Sequence, residues 1–194
     1  MALLFKTAQA AQGLLNMSYI DYFFLPISPF TYLADSGLEE IVLEHEATVT
    51  YKPIDVITLF SHTGGTPSAQ RHPSRQEYQL QELQRQSKKQ RLPIMLKPQY
   101  FPTNATPGSY AIIAAQADSS GVVGRWVQYI LSACRAKEKD IAQDDVIKDR
   151  LRRAGFDPAL ADSGLLYGAE SYLANIEKAV TRGVFGSPFY IVDD

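Results

Sequence analysis

The 194-residue sequence carries 19 Lys and Arg against 21 Asp and Glu, a formal net charge of −2, and 45% hydrophobic residues. So balanced a charge gives no pull toward nucleic acid or an anionic membrane surface, and no apolar run reaches the roughly 20 residues needed to span a bilayer. The single cysteine, Cys134, rules out an intrachain disulfide and fits a reducing, cytoplasmic compartment.

Residues 1–17 are mildly apolar with only Lys6 charged, and no arginine precedes Arg71. They lack the charged start, apolar run and cleavage site of a secretory signal, so they read as an N-terminal extension, a lead-in helix or an upstream start. The first strong element is a strand over 18–24, a nearly continuous apolar run suited to burial on both faces. A turn through Pro26 follows. Ser28 is placed as a helix N-cap and Pro29 at the first helical position, where its missing N–H costs nothing. Phe30, Leu33, Ala34, Leu38, Ile41 and Val42 then recur at helical spacing as far as about His45, with Gly37 as a weakening point inside. Residues 47–52 alternate as a second strand, ended by Pro53. A strand, a helix and a strand in succession predict a parallel pair with a right-handed crossover.

From there the pattern becomes helical. Residues 54–60 make a turn or two, and 61–68 read as a loop. A polar helix spans 74–90, with Tyr78, Leu80 and Leu83 as its apolar contacts. Residues 92–107 are proline-rich and irregular. Core helices are expected over 108–117 and 121–136, a short one from Asp144 to Gly155, and another opening at Asp157 and Pro158. The last helix spans 168–181, with Tyr172, Leu173, Ile176, Ala179 and Val180 expected on its buried side and Gly183 just beyond its end. Phe189 to Val192 returns as a strand.

The chemistry gathers at Ser28. A hydroxyl at the positive end of a helix, beside unpaired N–H groups, suits an anion. No Ser-His-Asp arrangement surrounds it, which argues against a hydrolase. His45, His62 and His72 are scattered and would each need further convergent ligands, so no metal site is expected. Cys134, on an apolar helix with Trp126 and Ile130, reads as a small core residue.

The segment Ile20–Ala34 resembles the first strand and helix of the 2-hydroxychromene-2-carboxylate isomerase family. That family groups with kappa-class glutathione transferases and, more distantly, with thioredoxin-fold disulfide oxidoreductases. A second block, Arg182-Gly183-Val184-Phe185-Gly186-Ser187-Pro188-Phe189-Tyr190-Ile191-Val192-Asp193, is similar to the family's signature before its cis-proline strand. The resemblance implies an α/β, thioredoxin-like fold over 18–53 and 167–194, with a large all-helical insertion over 54–166. It also implies a C-terminal hairpin and helix, which normally help to hold the γ-glutamyl end of glutathione. The sequence stops at Asp194, about where that hairpin would turn, so these are expected to be absent, the chain being either truncated or covered at that sheet edge by another chain.

The resemblance further implies glutathione as cofactor. Ser28, Pro29, Phe30 and Thr31 stand where a disulfide oxidoreductase carries Cys-x-x-Cys, so the protein itself offers no sulfur for disulfide exchange. Ser28 would instead donate a hydrogen bond to the glutathione sulfur, lowering its pKa, with Pro29 and Phe30 beside the cofactor. Across a cis Ser187–Pro188 bond, Ser187 would pair in strand fashion with the cysteinyl backbone of glutathione. Asn104 resembles a family position near the substrate, whereas Gly65 stands where relatives often carry a polar residue. The implied reaction is reversible thiolate addition to an unsaturated aromatic pyruvate, with rotation and expulsion, by a homodimer of this chain acting on a small aromatic substrate. A kappa-like glutathione transferase and a non-catalytic thioredoxin-fold binding protein are the alternatives.

Overall fold

The computed structural model describes residues 18–193. The expected N-terminal extension, 1–17, lies outside the described residues.

Three strands form the sheet in the order β2-β1-β3. β1 (Tyr19–Phe24) and β2 (Thr48–Pro53) are parallel and joined by helix α1 (Pro29–His45), while β3 (Phe189–Val192) runs antiparallel on the other side of β1. The central strand is apolar because both its faces are covered. Ile20, Tyr22 and Phe24 point into the larger core, and Phe23 into the smaller one. Asp21 shares the Phe23 side and is held by Lys52 at 3.2 Å, by Arg182 and by Lys178 at 3.6 Å. That cluster ties β1 to β2 and to the end of the last helix.

Between β2 and β3 come α2 (Val56–Thr63), α3 (Pro73–Gln90), α4 (Thr106–Asp118), α5 (Val123–Ala136), α6 (Asp144–Ala154), the single turn α7 (Leu160–Ser163) and α8 (Leu165–Thr181). The larger core joins β1 to α1, α5 and α6 around the fully buried Trp126, Ile130, Leu131 and Leu151. Burying each such side chain contributes about 1.5–3 kcal/mol. The smaller core joins Phe23 to Leu59 of α2, Ile113 of α4, and Tyr172, Ile176 and Ala179 of α8.

α8 ends as the glycine predicts. Gly183 takes φ +73°, its N–H reaches the Val180 carbonyl at 3.2 Å, and the Val184 N–H reaches Ala179 at 2.9 Å. This reverses the chain and aims it back along β1. Three apolar expectations are corrected. Leu173 is 64% exposed, because it follows Tyr172 by 100° of helix and cannot share its face. Ile41 is 50% exposed, since the inner side of α1 is taken instead by Thr31, Tyr32 and Asp35. Tyr78 is exposed too and lies beneath the Arg85 guanidinium, 5.2 Å from ring centre to charge.

Candidate functional site

The site forms where β1 ends. The Ser28 N–H donates to the Leu25 carbonyl at 2.9 Å and closes a turn over Pro26 and Ile27. Ser28 takes extended backbone angles, φ −73° and ψ 128°, and its Oγ accepts the Thr31 N–H at 3.2 Å. Pro29 is the first helical residue, as expected, and the first turn of α1 carries no acidic side chain. The positive end of a 17-residue helix therefore meets no negative charge from its own first turn. Ser28 is 9% exposed, and its hydroxyl proton has no acceptor among the described residues. Phe30 is half-buried against the larger core.

The second block arrives at the same place. The Ser187–Pro188 bond is cis. The Ser187 Oγ accepts the Leu25 N–H at 2.8 Å and lies 3.0 Å from Thr31 Oγ1. Thr31, fully buried, thus bridges the cap and the proline loop: its N–H holds Ser28 and its hydroxyl meets Ser187. The Ser187 main-chain N–H and C=O take no partner among the described residues. A helix start, an unengaged hydroxyl proton and an open main-chain donor–acceptor pair are what a peptide-like ligand carrying an anionic group requires.

Asn104 makes a local bond. Its Oδ1 accepts the Thr106 N–H at 3.0 Å in a tight turn leading into α4, and no hydrogen bond joins it to Ser28 or Ser187 among the described residues. At Gly65 a Cβ would meet the Phe60 ring at 2.1 Å, which accounts for glycine there.

Two buried ionisable side chains had no signal in the sequence. Arg135, in the last turn of α5, is 2% exposed and donates from Nε to the Ile27 carbonyl at 2.8 Å, and from Nη2 to the same oxygen. Its guanidinium lies 4.0 Å from the centre of the Phe101 ring. Burial pulls its pKa down to about 10, with the Cys134 thiol opposing, so the cation persists at neutral pH. Cys134 itself is buried, and burial pushes its thiol up. Asp35, two turns along α1 from Ser28, is 2% exposed with neither oxygen hydrogen-bonded among the described residues. Burial, reinforced by Glu39, raises it to about 8, so it is largely protonated at neutral pH. Tyr22 acts in the opposite direction without reaching hydrogen-bonding geometry. A cavity of about 280 Å³ between α1 and α5 touches Tyr32, Asp35, Gln128 and Lys137, and another of about 270 Å³ between β2, α4 and α8 touches Lys52, Gln116 and Ser171. Ser28 lines neither.

The family described as DSBA-like thioredoxin domain matches residues 19–194. Among solved structures, SeMet 2-hydroxychromene-2-carboxylate isomerase shares the fold with a TM-score of 0.72 and 22% identity, over 89% of this chain and 84% of that one. Cytosolic disulfide reductase DsbM from Pseudomonas aeruginosa does so with a TM-score of 0.66 and 18% identity, over 91% and 89% of the two chains. A second structure of DsbM, with GSH, gives 0.64 and 16%, over 89% and 84%. At these identities the likeness is one of fold, carried by an isomerase and by disulfide oxidoreductases alike. No curated protein matches the sequence.

Proposed function

Because this chain belongs to the DSBA-like thioredoxin domain family, we propose that it is a glutathione-dependent isomerase acting on aromatic pyruvates of the 2-hydroxychromene-2-carboxylate type. The observation that carries the reading is Ser28: a hydroxyl, not a thiol, caps the helix at the site, with Thr31 three residues on and the cis Ser187–Pro188 bond alongside. No cysteine stands at either position, and Cys134 is buried in α5, so disulfide exchange by the protein's own sulfur has no place here.

The residues present fit glutathione. Ser187 offers its unengaged main-chain N–H and C=O to the cysteinyl backbone. Ser28 keeps one proton to donate, because the Thr31 N–H occupies only an acceptor position on its oxygen. That proton and the start of α1 stabilise S⁻ over SH and lower the thiol pKa from a free value of about 8.5. Once bound, glutathione supplies the thiolate for reversible conjugate addition. Thr31 holds Ser28 and Ser187 in register, so the hydroxyl and the peptide edge face the same ligand. The structure of DsbM with GSH lends support to the choice of thiol, and the single buried cysteine supports a cytoplasmic setting. The resemblance supports a homodimer.

Calorimetry with glutathione, followed by product analysis, tests the reading. Binding and isomerisation of a 2-hydroxychromene-2-carboxylate are expected. Conjugation of 1-chloro-2,4-dinitrobenzene without isomerisation would replace the isomerase by a transferase. No heat at millimolar glutathione would leave a binding protein without this cofactor.

A further inference from the structure

We propose that Arg135 is the carboxylate-binding residue of the Ser28 site, so that the site selects ligands carrying a carboxylate next to the group seated at the start of α1. The inference rests on the reading that a ligand occupies that site.

Three cations among the described residues are buried: Lys52, Arg135 and Arg150. Lys52 pairs with Asp21 at 3.2 Å and Arg150 with Asp149 at 3.3 Å. Arg135, the most buried of the three, pairs with no carboxylate among the described residues. A cation withdrawn from water without a counter-charge is an expensive thing to keep. The Ile27 carbonyl and the Phe101 ring meet part of that need, but both are neutral. The remaining N–H groups of the guanidinium have no partner among the described residues.

Its position gives the charge a purpose. The carbonyl it grips belongs to the residue just before Ser28, so the guanidinium is fixed against the turn that presents the cap. A planar fork with open N–H groups matches a carboxylate, and the adjoining Phe101 ring suits an aromatic neighbour. Two carboxylates could use it: that of an aromatic 2-oxo acid, or the glycyl carboxylate of glutathione.

The test is calorimetry on the whole chain with two pairs of probes: phenylpyruvate and its ethyl ester, and glutathione and its glycyl ethyl ester. In the native protein the acid of one pair should bind about ten- to hundredfold more tightly than its ester. Arg135→Gln should bring that ratio close to one, and the pair that responds identifies the source. A purely structural role for Arg135 would weaken acid and ester alike and leave the ratio unchanged. Should Arg135→Gln fail to fold by circular dichroism, Arg135→Lys keeps the charge without the fork and should reduce the ratio severalfold. Equal loss for acid and ester, or a native protein that does not distinguish them in either pair, overturns the assignment. If glutathione gives no heat but phenylpyruvate keeps its Arg135-dependent preference, the isomerase reading fails and the assignment stands.

Discussion

The two polar stretches that the resemblance singled out are built in opposite ways. Around Ser28 a local turn and cap, closed by Leu25 and Thr31, are tied in by hydrogen bonds between residues far apart in the chain: Leu25 to Ser187, Thr31 to Ser187, and Arg135 to Ile27. At Asn104 the bond spans two residues and serves the helix that follows. The first arrangement can exist only when the whole fold is in place, and its polar groups retain capacity for a ligand. The second needs only neighbours along the chain. Convergence from distant segments is what sets the Ser28 region apart from Asn104.

The sharpest way to break the contrast is Ser28→Ala. Glutathione should still bind through Ser187, but turnover near neutrality should fall by about an order of magnitude or more, each pKa unit being worth about 1.4 kcal/mol. A variant with unchanged turnover would remove Ser28 from the reaction. The next effect is expected inside the helix rather than at its tip. Asp35 titrates at about 8 in the folded chain and near 3.9 when unfolded, so the folded state keeps a proton that the unfolded state has lost. Stability should therefore fall as pH rises across that interval. Asp35→Asn removes this dependence, and its advantage over the native protein in urea unfolding should widen from pH 5 to pH 8, by on the order of 1 kcal/mol per pH unit at most. Parallel pH profiles for the two proteins would contradict the buried, unpartnered carboxyl.

Smaller effects refine the comparison. Thr31→Val keeps the shape of a fully buried side chain and loses the hydroxyl that meets Ser187, which should lower stability by about 1 kcal/mol. It should also weaken glutathione binding, because the cap and the proline loop are no longer held together. Asn104→Ala should cost about 0.5–1 kcal/mol through its lost turn hydrogen bond and leave turnover within about twofold. A tenfold loss of turnover in Asn104→Ala would place Asn104 in the site after all.

What could be read from the sequence was what neighbours along the chain determine. Ser28 before Pro29 is a capping signal that needs no tertiary knowledge, and the structure puts both where that chemistry puts them. The alternation of strand, helix and strand likewise determined the parallel pair. Ser187 and Pro188 were found through resemblance, since nothing local says that a Ser-Pro pair will return to a helix start more than 150 residues away. Arg135 and Asp35 escaped notice because a charged residue at a helix end or on a helix side ordinarily faces water. Phe101 and the Ile27 carbonyl, which bury Arg135, belong to other parts of the chain. Leu173 misled because hydrophobicity alone does not tell which of two adjacent residues points inward.

The central claim is that a hydroxyl and a helix start turn a borrowed thiol into an anion. Ultraviolet titration of the thiolate of bound glutathione measures it directly, in the native protein and in Ser28→Ala. The account predicts a native pKa about a unit or more below the free value of about 8.5, returning toward that value in the variant. The same pKa in both proteins would contradict it.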